Sequence, residues 1–136
     1  GGWAVGVAHA SWRSTLAGIT GAMAAALGKL GAPPAGITAA IAPSAGPCCY
    51  EVGEDVREAA RAALGPGAAP FFRRRGERWT FDLWAANVAQ LAAAGVDPAR
   101  VAVSGVCTIC RGSRFWSWRA QGPAAGRFAA VIAPRA

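Results

Sequence analysis

The sequence predicts an α/β, mixed α+β fold: one domain in which strands and helices alternate. Three observations lead there. The chain has 136 residues, the size of one domain with a buried core. Its apolar residues fall into short strand-like runs separated by longer stretches with helical spacing. Glycine and proline clusters punctuate these segments, and no internal repeat or second domain is visible, so residues 1–136 read as one unit.

Residues 3–8 read as a short buried strand. Residues 15–30 have helical spacing, with Leu16, Ile19, Met23 and Leu27 on one face and Ser14 or Thr15 as the cap. Gly31, Pro33 and Pro34 end that helix. Residues 36–42 are a second strand, stopped by Pro43. "PSAGPCCYEVG" is rich in turn formers and reads as a loop. Residues 54–64 form a short amphipathic helix, followed by the turn "GPGAAP". Residues 79–81 are a small strand. Asp82 caps a helix reaching Ala94, which Gly95 closes. Residues 100–106 alternate as a strand does, 107–125 read as loop, and 127–133 ("RFAAVIA") are a final strand.

The formal charge of +7 points to an anionic partner, or to arginines scattered over a solvated surface. The one dense basic run is Arg73-Arg74-Arg75, with Arg78 close by, and no nucleic-acid module signature accompanies it. No apolar stretch reaches the roughly 18 residues of a membrane span. No signal peptide is visible, so a cytoplasmic, reducing setting is expected and the four cysteines read as thiols. The chain opens on Gly1-Gly2-Trp3 and runs directly into an apolar segment, which suggests residues missing upstream.

His9 is the only histidine, placed where a strand should give way to a helix, with Arg13 one turn further on. Ligand sites gather at such junctions. A neutral imidazole there can bind a metal or shuttle a proton, and an arginine can hold an anionic oxygen with two hydrogen bonds. A packed, hydrogen-bonded histidine is the commoner role for that residue type. "CTIC" places Cys107 and Cys110 in a C-x-x-C spacing, open to redox or zinc chemistry. The adjacent Cys48 and Cys49 do not form the usual second arm, and neighbouring side chains tend to point apart. The four cysteines are therefore expected to be buried thiols. Near the C-terminus Arg111, Arg114, Arg119 and Arg127 interleave with Phe115, Trp116 and Trp118. That pattern suits a base and a phosphate, or a packed loop with solvated arginines.

Three separated stretches resemble one known family. "VAHASWRSTLAGI" resembles its H-A-G-W-R-G motif, and "IAPSAGPCCYEVGEDV" its G-P-x-I-x-x-C-x-Y/F-E-V-G segment. "FDLWAANVAQLAAAGV" followed by "VCTIC", "FWSWR" and "GRFAAVI" resembles its D-L, C-T, F-F-S-Y-R-R and T-G-R-M-A pattern. This is the YfiH/YlmD-type family, labelled polyphenol oxidase or laccase domain and also peptidoglycan editing factor. The resemblance implies a zinc-dependent purine nucleoside phosphorylase with adenosine deaminase activity, taking a purine nucleoside and phosphate. It makes His9 a zinc ligand and Arg13 a catalytic, substrate-binding residue of the same site. It offers Tyr50, Glu51 and Arg119 as further substrate-binding residues, because they lie in the matching motifs.

The family's other two ligands, a histidine and the cysteine of an A-D-C-x-P motif, lie upstream of the matching stretch. The resemblance therefore implies the C-terminal portion of a family protein, with an incomplete zinc site. Its motif glycines are Ser11 and Ser14 here, the second arginine of F-F-S-Y-R-R is Ala120, and the methionine of G-R-M-A is Phe128. A blue-copper site needs two histidines and a cysteine, which one imidazole does not supply. Two other readings stay open: a degenerate, non-catalytic domain, and an anion- or nucleic-acid-binding module resting on charge alone.

Overall fold

Ten regular elements and four short 3-10 turns build the fold, in a computed structural model that describes residues 3–134. They are α1 (Trp12–Leu16), α2 (Ile19–Lys29), β1 (Ala39–Ile41), β2 (Glu51–Val52), α3 (Glu54–Leu64), β3 (Phe72–Arg75), β4 (Arg78–Phe81), α4 (Leu83–Ala93), β5 (Val101–Val103) and α5 (Trp118–Gln121). Helix and sheet are mixed in one small domain, as the sequence predicts. The parallel pair β1–β5 is one sheet. The other is antiparallel, in the order β2-β4-β3.

The expected helix over 15–30 is two helices. Gly18 stands between them at φ 78°, a left-handed conformation that suits glycine and stops the first helix. α1 also starts earlier than expected. Ser11, not Ser14 or Thr15, is its cap, accepting from the Ser14 backbone N–H. Thr15 is thereby carried into the interior, where it is fully buried. Ala24 is the buried residue of α2, while Leu16, Ile19, Met23 and Leu27 are half-buried.

Helix α3 occupies the expected residues, and Asp82 caps α4 as expected, its Oδ1 accepting from the Ala85 N–H at 2.9 Å. Between them lies a further strand that the sequence pattern does not announce. β3 holds the basic run, and a two-residue turn at Gly76 and Glu77, with Gly76 at φ 59°, folds it back onto β4. Charged residues are common on sheet edges, where they discourage further pairing. β3 is such an edge, so its arginines are compatible with a strand. The expected loop after β1 also contains a short strand, β2, which pairs Glu51 with Thr80 and Val52 with Trp79.

The core has two parts. Tyr50, Val52, Val56, Ala60, Ala68, Phe72, Phe81, Leu83 and Ala86 pack between α3, α4 and the antiparallel sheet. Phe81 is fully buried and stacks on Phe72 with ring centroids 4.4 Å apart. A smaller cluster of Ala24, Ile37, Leu91 and Val96 joins α2 to α4. Trp12 and Leu16 rest on the larger cluster, which fixes α1 against the body of the domain.

Two expected strands do not form. Residues 3–8 and 127–133 carry no regular structure, and the first is not buried: Trp3 is 78% exposed and Val7 60%. At the other end Val131 is 93% exposed. An apolar run fits a strand only if its backbone N–H and C=O groups find a ladder. Among the described residues β1 and β5 pair only with each other, and neither terminal run joins them.

Candidate functional site

The loops that leave β1 and β5 carry most of the polar chemistry. Parallel pairing runs on past the strand ends: Ser104 N–H donates to the Ile41 carbonyl, Ser44 N–H to Val106, and Thr108 N–H to Ser44. The loop after β1 is therefore fastened to the loop after β5, at the carboxyl ends of parallel strands where α/β folds place their ligands. Gly46 makes the close approach possible. A side chain there would put its Cβ 2.7 Å from the Trp84 ring and 3.1 Å from Cys107 Cβ.

Tyr50, at the end of the first loop, gathers three of the residues singled out from the sequence. The Arg119 guanidinium lies 4.7 Å from the Tyr50 ring centroid, and its N–H donates to the Glu51 carbonyl. Burial pushes the Tyr50 phenol above its ordinary pKa, while the charges of Arg119 and Arg13 pull it back down. Arg13 sits in the first turn of α1 and lies 4.3 Å from the Trp12 ring centroid. The carboxylate of Glu51 turns the other way, to Arg75 at 3.5 Å and Arg78 at 3.9 Å. In this structure Glu51 meets Arg119 through its backbone.

His9 is exposed, just before α1, and the residues ahead of it are not a strand. Its carbonyl accepts from Ser14 Oγ at 2.7 Å, and Ser11 Oγ lies 3.0 Å from Ser14 Oγ. The two serines standing at the motif's glycine positions thus build the start of α1 and tie His9 to it. The expected placement of Arg13 at the beginning of a helix holds; that of His9 at a strand end does not.

The basic run is largely engaged within its own neighbourhood. Arg74 donates to the Gly76 carbonyl and faces Trp79, Arg75 donates to the Cys48 carbonyl, and Arg75 and Arg78 flank Glu51. An open anion-binding stripe is not what these contacts make. A surface hollow of about 700 Å³ is lined by Glu58, Arg61, Ala62, Gly65, Pro66 and Ala69 and shares no residue with the Tyr50 cluster.

The cysteines overturn an expectation. They are not buried thiols: Cys48 and Cys110 are exposed, Cys49 is half-buried, and only Cys107 is buried. Nor do the adjacent pair point apart. Cys48 Sγ lies 3.4 Å and Cys49 Sγ 3.2 Å from Cys110 Sγ, and all four sulfur atoms lie within 4.8 Å of one another. Sequence spacing hid this, because the second arm is C-C rather than C-x-x-C; the pairing of the two loops supplies what spacing does not.

The family model described as multi-copper polyphenol oxidoreductase laccase matches residues 1–135. The chain belongs to this laccase-domain family, of YfiH/YlmD type. It is 38% identical over 133 residues to purine nucleoside phosphorylase YlmD of Geobacillus stearothermophilus, covering 96% of this chain and 48% of that one. It is 37% identical over 124 residues to adenosine deaminase RL5 from an unknown prokaryotic organism, covering 90% of this chain and 47% of that protein. The crystal structure of YlmD from Geobacillus stearothermophilus superposes with a TM-score of 0.76 over 83% of this chain and 43% of that one. This laccase-domain chain thus spans about half the length of the curated relatives it matches.

The fit of the implied zinc can be tested on the donor set. His9 is the only imidazole of the chain, and among the described residues it joins no group of three or more ligand-type side chains. The residues present do not make a three-ligand zinc site around His9, nor the two-histidine set of blue copper.

Proposed function

We propose that this chain, in a full-length protein of the family, forms part of a purine nucleoside phosphorylase with accompanying adenosine deaminase activity. Phosphorolysis is a transferase reaction and deamination a hydrolase one. The names of the relatives support the reading. The observation that carries it within this chain is the Arg119 guanidinium 4.7 Å from the Tyr50 ring centroid, with Arg13 likewise 4.3 Å from that of Trp12. Guanidinium groups stacked on aromatic rings suit a ligand that has both anionic oxygens and a flat base.

In phosphorolysis a phosphate oxygen forms a bond to the sugar C1′, the N-glycosidic bond breaks, and the base leaves with the bonding pair and takes up a proton. Arg13 would hold phosphate or ribose oxygens with paired N–H donors. Arg119 and Tyr50 would offer a stacked cationic and aromatic surface to the nucleoside, with the Glu51 backbone fixing Arg119. His9 would supply one ligand to the zinc that the family resemblance implies. A cytoplasmic location belongs to the same reading; among the described residues no helix is long and apolar enough to cross a membrane.

The hydrogen bonds of Ser11 and Ser14 favour one rival. They occupy the motif's glycine positions and restrain His9, as a non-catalytic copy of the domain would tolerate. The test is purine release from adenosine and inosine, with and without phosphate, by the full-length protein and its His9→Ala variant. Phosphate-dependent release that His9→Ala abolishes supports the enzyme. Equal rates in both proteins remove His9 from the mechanism, and a zinc-loaded protein inactive on every purine nucleoside supports the non-catalytic domain.

A further inference from the structure

We propose that Cys48, Cys49, Cys107 and Cys110 are the four ligands of a single thiophilic metal ion of the zinc class, which clamps the loop after β1 to the loop after β5. This site is separate from the one His9 is assigned to, and it does not rest on the nucleoside phosphorylase reading.

The geometry is the first reason. With metal–sulfur bonds of about 2.3 Å, a regular tetrahedron sets its sulfur atoms about 3.8 Å apart. The observed sulfur atoms bracket that value: two pairs lie at 3.2 and 3.4 Å, and the whole set is within 4.8 Å. Small rotations of the exposed Cys48 and Cys110 side chains would regularise the set. Four thiolates in a tetrahedral arrangement select zinc or iron over harder cations.

The surroundings are the second reason. Cys107 Sγ accepts from the Gly46 backbone N–H at 3.3 Å. A sulfur held by a backbone N–H is prepared as a thiolate, the form that binds metals. The four thiols crowd together, with Cys48 Sγ and Cys49 Sγ both within 3.4 Å of Cys110 Sγ. Four such groups pressed together cost energy that one cation would relieve.

The topology is the third reason. The cysteines sit on two loops whose backbones are already hydrogen-bonded to each other, and Gly46 lets those loops approach. The organisation that an ion would otherwise have to impose is largely in place. Tyr50 follows Cys49 directly, so the clamp would also hold the loop end on which Arg119 stacks.

The experiment is metal analysis of the chain prepared under reducing conditions with zinc and then dialysed, for wild type, Cys110→Ser and His9→Ala. Cobalt(II) substitution is read in parallel by absorbance, and circular dichroism checks folding. The expected result is one zinc per chain in wild type and His9→Ala, near-complete loss in Cys110→Ser, and a thiolate-to-cobalt charge-transfer band in wild type only weakly present in that variant. Cys110 is exposed, so its serine variant opens no core cavity; Cys48→Ser, also exposed, repeats the test if folding is impaired. No retained zinc and no charge-transfer band in wild type overturns the proposal. So does a Cys48–Cys110 or Cys49–Cys110 disulfide found by mass in freshly reduced protein exposed to zinc, or metal that survives Cys110→Ser and is lost in His9→Ala.

Discussion

Cys49 Sγ lies 3.2 Å from Cys110 Sγ although 61 positions separate them in the chain. The contact is a consequence of parallel pairing. β1 and β5 end side by side, so the loops that follow them meet, and whatever side chains they carry meet too.

Gly46 is the tightest point of that meeting. Gly46→Ala would drive a methyl group into the Trp84 ring and toward Cys107. Overpacking of this kind costs about 1–3 kcal/mol. A urea denaturation series should show that loss, and the same variant should bind cobalt(II) more weakly than wild type because Cys107 is displaced. Unchanged stability and unchanged metal binding would show that the loops are free to separate.

Tyr50 is the single tyrosine of the chain, so its ionisation can be followed by ultraviolet absorbance without interference from another phenol. Burial raises its pKa and Arg119 opposes that rise. Removing the guanidinium takes away charge that favours the phenolate. Arg119→Ala should therefore shift the Tyr50 midpoint upward, and Arg119→Lys should shift it less. An unchanged or lower midpoint in Arg119→Ala would separate Arg119 from Tyr50 in solution.

Asn87 ties α4 to α1. Its Nδ2 donates to Thr15 Oγ1 at 3.1 Å and to the Leu83 carbonyl at 2.7 Å, both inside the protein. Asn87→Ala would strip the fully buried Thr15 hydroxyl of this partner, a loss of about 1–3 kcal/mol. The check is the denaturation midpoint. A change under a few tenths of a kcal/mol would mean that water or a rearranged Thr15 replaces the bond.

What the residues disclosed beforehand follows from what each signal measures. α3 and α4 were legible because caps, glycine stops and periodicity are local properties, and local physics decides a helix of that length. Gly18 lies within an otherwise continuous periodic stretch, and its left-handed backbone divides the helix. β3 was hidden because three arginines in succession mask a strand whose pairing is set by the turn at Gly76. Residues 3–8 and 127–133 differ for the opposite reason: the apolar pattern is present, and among the described residues a ladder partner is not. At the site, the motifs mark Arg13, Tyr50, Glu51 and Arg119, and the structure stacks Arg119 on Tyr50 and joins it to the Glu51 carbonyl, while Arg13 lies over Trp12. The four-thiol cluster could not be read from spacing, since it depends on which strands pair.

The most direct test of the proposed function is the identity of the product that carries the sugar. The full-length protein, incubated with adenosine or inosine and phosphate, is followed by phosphorus magnetic resonance. A ribose phosphate ester should accumulate in step with free purine base, and Arg13→Lys should slow both together while leaving the fold intact. Inosine from adenosine with no phosphate ester, or base released alongside free ribose, would contradict phosphorolysis.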